Sequence, residues 1–367
     1  MPLYRQIYND LLAMIKSGEF ADGKLLPTEL QLAKQYNASR ITVKKAYDML
    51  VADGLVTRTA GRGTTLCDYV QDESKKSNRI IGIILCDIDS AFGDRLLLSA
   101  EAAAEKADYN IVFKRSFGER DAEEKLFSQL LSFPVDGIIV QNCPGKYTKG
   151  FLECICSGYP VISVDRADDR LPVAAVSSDN AAAAENATKH LFDLGHRGVL
   201  CLSRPAHEIT TLYERTRGFS EAYSHCGYPL SSAQFMNDVC AFSDGAKAVS
   251  HQVELIAARL REHPEITAVL ALERYCASLA EKAVALLGKR IPEDYSLICF
   301  DFEEHYGDTP SITHVCQNQT EMGRLAVTNL IAMIESGAAP EKVEVPSALI
   351  TGCSTGENNG THQEQKL

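Results

Sequence analysis

The sequence predicts an α/β protein in two parts: an N-terminal winged helix-turn-helix, followed by a larger body of alternating strands and helices in parallel sheets. Residues 26–66 contain two short amphipathic helix patterns and a hairpin pattern. Beyond residue 78, apolar strands alternate with amphipathic helices, which is typical of parallel sheets covered on both faces. Between these parts, the polar stretch 71–78 predicts a linker that separates a domain of residues 1–70 from a body of residues 79–350.

Two short helices are predicted in the N-terminal domain. Thr28 is a suitable N-cap for the first, whose Leu30 and Ala33 are expected to point inward, and residues 35–38 form a polar turn. Ser39 then caps the second helix. The inward positions of that helix fall at i, i+3, i+4 and i+7, and they are Val43, Ala46, Tyr47 and Leu50.

A small β-hairpin is predicted to follow the second helix. Gly54 ends the helix, and residues 55–57 and 64–66 can pair as strands. The tip between them, Gly61-Arg62-Gly63, presents a cation on a glycine-rich turn. Two helices and such a hairpin form an element that fits a DNA groove.

Charge is distributed unevenly between the two parts. Residues 1–70 contain nine Lys/Arg and seven Asp/Glu, a net charge of +2, so the remainder carries 28 against 42, or −14. Burial of the second helix's apolar stripe leaves Arg40 and Lys44 facing outward, with Thr42 and Lys45 beside them. Two lysines on a helix are equally typical of a solvated surface. The whole pattern, however, restricts contact with a polyanion to the N-terminal domain.

The twelve cysteines do not have the spacing of a metal or disulfide site. There is no Cys-x-x-Cys pair and no Cys/His cluster with zinc spacing, and Cys154 and Cys156 stand together on an expected helix. Four others lie in or beside apolar runs and are expected to be small core residues: Cys86, Cys201, Cys299 and Cys316. Unpaired thiols, no signal peptide and no apolar run of 18 residues favour a cytoplasmic protein without a membrane segment.

The body contains eight candidate strands, too many for one ordinary nucleotide-binding sheet, so two sheets are expected. No Gly-x-Gly-x-x-Gly follows a strand, and no phosphate-binding loop motif is present. Residues 351–367 have the composition of a disordered tail. The strands are Ile80–Leu85, Asn110–Phe113, Gly137–Val140, Val161–Val164, Ala174–Ser177, Val199–Leu202, Thr267–Ala271 and Leu297–Phe300.

The N-terminal domain resembles the GntR family of bacterial transcription regulators. The resemblance covers residues 2–67 and rests on Leu26-Pro27-Thr28-Glu29, Ser39-Arg40-x-Thr42-Val43 and Gly61-x-Gly63-Thr64. Leu30 stands where an arginine often follows the glutamate, which removes one expected contact. The DNA-binding residues that the resemblance implies are Thr28, Glu29, Ser39, Arg40, Thr42, Lys44, Lys45, Arg58, Gly61, Arg62, Gly63 and Thr64.

The body resembles the effector domain of LacI-type repressors, which has the periplasmic-binding-protein fold. The motifs are Asp136-Gly137-Ile138-Ile139-Val140, Leu194-Gly195-His196-Arg197 and Ile291-Pro292-Glu293-Asp294. The resemblance implies two subdomains, one of residues 79–177 with 317–337 and the other of residues 178–316 with 341–350. It also implies a ligand held between them at the C-terminal ends of their strands.

The ligand-binding residues carried over from this resemblance suit a polyol. Arg215 offers a planar donor fork and Asp301 an acceptor, so the pair can hold neighbouring hydroxyls, while Phe92 can stack on a sugar ring. A surface ion pair with Glu214 or Glu221 is the alternative for Arg215. Glu273-Arg274 replaces the Asn-Asp pair usual in the family. The full set is Phe92, Gln141, Asn142, Asp165, Arg166, Thr211, Arg215, Glu273, Arg274, Asp301 and Gln317.

Together, the two resemblances imply a homodimeric transcription repressor that a small sugar such as L-arabinose releases from operator DNA. No cofactor, catalytic residue, metal or membrane partner is expected. Three alternatives remain: a pyridoxal-phosphate enzyme body on a GntR head, a regulator that senses a non-sugar ligand such as a nucleoside, and a transport binding protein. The last requires an export signal, and no nucleophile–base set within one motif favours an enzyme.

Overall fold

The chain divides into two compact units, residues 1–79 (the head) and residues 80–367 (the body). The computed structural model describes residues 2–16, 20, 25–52, 55–59, 63–66, 78–88, 91–168, 170–205, 209–239, 246–302 and 311–358. The features predicted at Gly54, Gly61, Arg62, residues 71–77 and residues 359–367 lie outside these ranges. Among the described residues, no helix combines the length and apolarity needed to cross a membrane.

The head has the predicted helix–turn–helix and hairpin, preceded by a further helix. Its elements are α1 (Leu3–Lys16), α2 (Glu29–Gln35), α3 (Arg40–Ala52), β1 (Val56–Thr59) and β2 (Gly63–Leu66), and the two strands pair antiparallel. Both predicted caps are confirmed. The Thr28 hydroxyl accepts a hydrogen bond from the Gln31 amide at 3.3 Å, and the Ser39 hydroxyl accepts one from the Thr42 amide at 3.2 Å.

The inward residue of α2 differs from the prediction. Leu30 is 56% exposed, whereas Leu32 is buried with Val43, Tyr47 and the rest of the head core. Residues two apart on a helix lie roughly 200° apart around its axis, so Leu30 and Leu32 cannot both face the core. The capped start at Glu29 fixes the helix with Leu32 inward, and the prediction for Leu30 is wrong.

The body is built from two six-stranded sheets. The first sheet has the order β13-β7-β6-β5-β3-β4, and the second β14-β12-β11-β10-β8-β9. All pairings are parallel except β12 with β14. The strands are β3 (Ile80–Leu85), β4 (Asn110–Arg115), β5 (Gly137–Val140), β6 (Val161–Val164), β7 (Ala174–Ser178), β8 (Gly198–Leu202), β9 (Phe235–Met236), β10 (Ile266–Ala271), β11 (Ser296–Phe300), β12 (Thr313–Cys316), β13 (Lys342–Val345) and β14 (Ala348–Ile350).

Helices cover both faces of each sheet, as the continuous apolar strands predict. Every residue of β5, β6, β10 and β11 is buried, which requires packing above and below the sheet. The helices are α4 (Asp94–Lys106), α5 (Arg120–Ser132), α6 (Lys149–Ser157), α7 (Asn180–Asp193), α8 (Thr210–Cys226), α9 (Ala246–Glu262), α10 (Arg274–Leu286) and α11 (Gln319–Ser336).

The chain passes between the two sheets through three crossing segments, residues 178–180, 317–318 and 346–347. They are linked to one another: the Ser178 hydroxyl donates to the Gln317 side-chain oxygen at 2.6 Å, and the Ser347 amide donates to Asp179 at 2.8 Å. The third crossing corrects the predicted subdomains. Residues 342–345 pair with β7 in the first sheet, and only residues 348–350 join the second.

The C-terminal residues 351–358 are also part of the fold, although residues 351–367 were predicted to be a tail. The Ser354 hydroxyl accepts from the Thr313 amide at 2.8 Å, and the Gly356 amide donates to the Ser296 hydroxyl at 3.0 Å. The same hydroxyl lies 2.8 Å from Nε2 of the buried His196. The polar composition of this segment therefore satisfies buried polar groups of the second sheet rather than indicating disorder.

Candidate nucleic-acid interface and ligand cleft

Helix α3 presents a basic outer face. Its stripe Val43, Ala46, Tyr47 and Leu50 is buried, and the residues between these positions point away from the head core. The Arg40 side chain is 72% exposed, and Lys44 and Lys45 are exposed one turn later. A basic helix face with a capped, exposed first turn has the form of a recognition helix.

Ion pairs with Glu29, the first residue of α2, position the side chains of Arg40 and Arg58. Glu29 accepts a short hydrogen bond from Arg58 and lies 3.8 Å from the Arg40 guanidinium. Arg58 also lies 3.4 Å from Asp48. Arg58 therefore connects β1 to both helices, a positioning role beside its predicted contact with DNA. The Lys45 ammonium lies 4.0 Å from the centre of the Tyr4 ring, which directs it toward α1.

The remaining predicted DNA-binding residues lie at the two helix starts and on the hairpin. Thr28, Ser39 and Thr42 form the caps described above, and Gly63 and Thr64 begin β2. Gly63 has φ +97°, a conformation that favours glycine. The tip residues that precede Gly63 were also predicted to bind DNA, and they fall in an undescribed range.

In the body, two aspartates occupy equivalent places in the two subdomains. Asp165 follows β6 and Asp301 follows β11, and both adopt a left-handed backbone, with φ values of 68° and 58°. Each carboxylate accepts a hydrogen bond from a glutamine amide, Asp165 from Gln141 at 2.8 Å and Asp301 from Gln317 at 2.7 Å. Non-glycine residues with positive φ are uncommon, and they concentrate at functional sites.

Arg215 on α8 is buried against Asp301. Its guanidinium donates to the Asn180 side-chain oxygen at 2.8 Å and to the Leu272 carbonyl at 2.7 Å, and it lies 3.7 Å from the Asp301 carboxylate. It also stacks 4.0 Å from the centre of the Phe300 ring. The alternative of a surface ion pair for Arg215 is wrong, because Glu214 and Glu221 bind Arg217 instead.

Asp301 titrates well above an ordinary aspartate. Burial raises the pKa of its carboxyl group to about 6, although the Arg215 charge and the Gln317 hydrogen bond lower it. The negative charge of Asp165 raises it further, so the two carboxyl groups lie within electrostatic range of each other. The side chain is still 17% exposed, which leaves the carboxylate reachable from the cleft.

The first subdomain contributes two hydrogen-bond donors that have no acceptor among the described residues. They are Nδ2 of Asn142 and Nε of Arg166, and both atoms are buried. Their other atoms are engaged: the Ser163 hydroxyl donates to Asn142 Oδ1 at 2.9 Å, and the Arg166 guanidinium donates to the Asn142 carbonyl at 2.6 Å. Buried donors without partners carry a free-energy cost that a bound acceptor offsets.

Comparison with known proteins identifies both parts. Residues 3–66 match the family described as bacterial regulatory proteins, gntR family, and residues 188–355 match the periplasmic binding protein-like domain. The arabinose metabolism transcriptional repressor of Geobacillus stearothermophilus is 23% identical over 91% of this chain and 92% of its own length. The ribose operon repressor of Halalkalibacterium halodurans is 28% identical over 77% and 82%.

A solved structure gives the same fold for the body. The structure of a LacI family transcriptional regulator from Enterococcus faecium with bound ribose has a TM-score of 0.61 and 24% identity, and it covers 76% of this chain and 98% of that chain. The chain carries a GntR head on a periplasmic-binding-protein-like body. It is a DNA-binding transcription regulator.

In this GntR-headed regulator, the predicted ligand-binding residues have different surroundings. Glu273 forms a two-point ion pair with Arg204, at 2.7 Å through Nε, and Arg274 faces Glu281 at 3.4 Å. Thr211 is buried on the first turn of α8, and Phe92 is half-buried against the first subdomain's core. The structure places these side chains, and their contact with a ligand stays a prediction.

Four further residues belong to one or other of these two sites but were not predicted as site residues from the sequence. Ser178, Asn180 and Arg204 bind Gln317, Arg215 and Glu273, respectively. Their only sequence signal is a position just after a strand or between two strands. The fourth is Ile41 on α3, which is 81% exposed. The sequence signal for Ile41 is that it is apolar but lies outside the inward stripe of the helix. An exposed apolar side chain at this position can contact a thymine methyl group in the major groove.

Proposed function

We propose that this regulator is a homodimeric repressor whose operator affinity is controlled by a neutral sugar, with no cofactor and no catalytic activity. The observation that carries the proposal is the pair of aspartates at the ends of β6 and β11, each fixed by a glutamine. Carboxylates accept hydrogen bonds from ligand hydroxyls, and the Asn142 and Arg166 donors supply the opposite half of such a bond.

The charges in the cleft favour a neutral ligand. Each of three arginines lies beside a carboxylate: Arg215 is 3.7 Å from Asp301, Arg166 is 3.8 Å from Asp165, and Arg204 is paired with Glu273. An anionic ligand would need a cation without such a partner. A polyol, whose hydroxyl groups both donate and accept, fits a cleft of alternating donors and acceptors.

The relatives support a sugar over the other ligand classes. Two of them are named for arabinose metabolism and for a ribose operon, and a similar structure contains ribose. A nucleoside shares the ribose hydroxyls and remains the second candidate. The pyridoxal-phosphate alternative loses its support, because residues 188–355 match a periplasmic-binding-protein-like domain rather than an aminotransferase body.

The proposed control follows from linkage. A sugar changes operator affinity only if it binds more tightly to one of two states that differ in operator affinity. The three crossing segments connect the two subdomains, and closure of the cleft would turn the subdomains about these segments. In a dimer, operator half-sites lie at a fixed separation. We propose that closure of the cleft on a sugar changes the separation of the two heads and releases the operator.

A panel of ligands tests the proposal. Thermal unfolding of the full chain is measured with L-arabinose, other pentoses and hexoses, their phosphates, and nucleosides. A ligand at 100 times its Kd adds about 2.7 kcal/mol to the free energy of unfolding, which is visible as a raised Tm. The same ligand is then titrated against operator DNA selected from a random pool. Stabilisation by sugar phosphates alone would contradict a neutral ligand, and stabilisation without any effect on DNA binding would contradict linkage.

Effector binding is expected to weaken in acid. The pKa of Asp301 is about 6, so at pH 5 only about one carboxyl group in ten is ionised and able to accept a hydroxyl. A proton and the ligand hydroxyl compete for the same oxygen, and the Kd measured by calorimetry should rise about tenfold between pH 8 and pH 5. Asp301→Asn is the control, and its weaker Kd should not change over this range. An unchanged Kd in the parent protein would remove Asp301 from the ligand contacts.

The body alone is expected to bind effector but not DNA. A fragment beginning at Asn78 keeps both sheets and the cleft, because the body is a compact unit by itself. Residues 71–367 carry a charge of −14, which repels a polyanion. Filter binding should detect no retained DNA at low salt, and sedimentation at tens of micromolar should give a dimer. A monomer would contradict the dimer proposal, and retained DNA would contradict the assignment of DNA binding to the head.

A further inference from the structure

Two cysteines lie near each other at the carboxyl ends of two neighbouring strands in the first sheet. Cys86 directly follows β3, and Cys143 lies three residues beyond the end of β5. These strands are neighbours, with Ile84 opposite Val140. Both cysteines are buried, and the Cys86 sulfur lies 3.8 Å from the carbonyl oxygen of Asn142, the residue before Cys143. The fold therefore brings two thiols from distant parts of the sequence close together.

The two sulfur atoms have different surroundings. The Arg166 guanidinium donates to the Cys86 sulfur at 3.3 Å, and that sulfur lies 3.4 Å from the Gln141 carbonyl. The Cys143 thiol donates to the Ser116 hydroxyl at 3.4 Å. The neighbouring Cys143 and the Arg166 charge lower the pKa of the Cys86 thiol, whereas the neighbouring Cys86 and burial raise the pKa of Cys143. Cys86 is thus the more readily ionised and more nucleophilic of the two, and its neighbour stays a thiol.

The other described cysteines do not share this environment. Burial raises the pKa of the thiols of Cys154, Cys201, Cys276 and Cys299. Cys156, Cys226 and Cys353 are exposed. An oxidant in solution would therefore be expected to reach the three exposed thiols first if accessibility alone determined reactivity.

We propose that Cys86 and Cys143 form a peroxide-reactive pair that closes to a disulfide at the wall of the effector cleft. The Cys86 thiolate attacks one oxygen of a hydroperoxide such as hydrogen peroxide. The O–O bond breaks, hydroxide leaves and takes up a proton as water, and Cys86 becomes a sulfenic acid. The Cys143 sulfur then attacks the Cys86 sulfur, the S–O bond breaks, and a second water leaves with the Cys143 proton. The two thiols are oxidised by two electrons, and the peroxide is reduced to two waters.

The disulfide changes the cleft through Gln141. The Cys86 amide donates to the Gln141 side-chain oxygen at 3.0 Å, and the same side chain donates to Asp165. Arg166, which binds the Cys86 sulfur, also binds the Asn142 carbonyl. A sulfur–sulfur bond draws the ends of β3 and β5 together and removes the thiolate partner of Arg166. That these changes affect effector binding rests on the proposed function, whereas the chemistry of the pair does not.

The experiment uses the reduced full chain and hydrogen peroxide at pH 7. Unreacted thiols are blocked with N-ethylmaleimide and the peptides are identified by mass spectrometry. The expected product is a peptide cross-linked between Cys86 and Cys143, 2 Da lighter than its reduced parts. Cys86, whose sulfur accepts a hydrogen bond from Arg166, should be oxidised faster than the exposed Cys156.

Three variants separate the steps. Cys143→Ser should stop at a sulfenic acid on Cys86, which dimedone traps, and Cys86→Ser should leave Cys143 unoxidised. Cys156→Ser is the matched control and should leave the cross-link unchanged. If Cys86 reacts no faster than Cys156, or if Cys143→Ser accumulates no dimedone adduct, the proposal is wrong.

Hydrogen–deuterium exchange tests the link to the cleft without any effector. Peptides that contain Cys86 and Gln141 should exchange faster in the oxidised protein, because the disulfide weakens the hydrogen bond from the Cys86 amide to the Gln141 side-chain oxygen. Peptides of the second sheet should not change. A disulfide that forms without altering this exchange would overturn the coupling to the cleft. Failure to find a sugar effector would instead affect the proposed function alone.

Discussion

Arg40→Ala is expected to weaken binding to a selected operator by roughly 5- to 150-fold, the effect of losing a base contact of about 1–3 kcal/mol. Arg40 lies at the first position of α3, its side chain is 72% exposed, and Glu29 holds its guanidinium at 3.8 Å. An arginine at the start of a recognition helix reaches base edges and can bind guanine through two hydrogen bonds. Fluorescence anisotropy with labelled operator measures the loss.

The control for this variant is Arg290→Ala. Arg290 lies in the body, and its side chain is 75% exposed, close to the exposure of Arg40. Its replacement should leave operator affinity unchanged. Selection from random DNA with the Arg40→Ala protein should show a relaxed preference at one base position. Lys44→Ala, by contrast, should lower the affinity for all DNA sequences by a similar factor. Full affinity in Arg40→Ala would mean that α3 is not the recognition helix.

Arg215→Ala is expected to abolish the response to effector while operator binding persists. The guanidinium holds Asn180 and the Leu272 carbonyl and lies beside Asp301. Its removal takes away a ligand donor and leaves those buried acceptors unpaired, at about 1–3 kcal/mol for each. The effector Kd should rise at least tenfold. Calorimetry and operator release in the presence of sugar measure the two effects separately.

A matched control lies two residues further along the same helix. Arg217 binds Glu214 and Glu221 on the exposed face of α8, so Arg217→Ala should respond to effector like the parent protein. Asp301→Ala should behave like Arg215→Ala, because the two side chains are neighbours, 3.7 Å apart, and both are proposed to bind the ligand. If either cleft variant folds but loses operator binding, the cleft has been assigned to the wrong residues.

The sequence predicted the fold in considerable detail. The eight strands expected in the body are all present, because continuous apolar runs between helices leave little ambiguity. Four strands of the body were not predicted: the inner strand β12 and the edge strands β9, β13 and β14. They have two to four residues each, so a short pattern such as Lys342–Val345 does not differ from a loop. Their pairing depends on the neighbouring strand rather than on their own composition.

The cleft was predicted less completely. Arg215 and Arg217 are indistinguishable by residue type and spacing, and only the direction of α8 buries one and exposes the other. The glutamine that holds each aspartate lies 16 to 24 residues away in sequence, and no local pattern indicates such a hydrogen bond. Partners of this kind depend on tertiary contacts, which explains why the resemblance indicated the two glutamines but not that each one binds an aspartate.

The three crossing segments also determine when each part of the protein can fold during synthesis. The last described strand of the head ends at Leu66. The first sheet begins at Ile80, but α11 and its edge strand β13 arrive only with residues 319–345. Domains fold as units as they emerge, and contacts distant in sequence form late. We therefore expect a nascent or prematurely terminated chain to fold its DNA-binding head before the proposed effector site is complete, so that control by the proposed sugar begins only when translation is nearly complete.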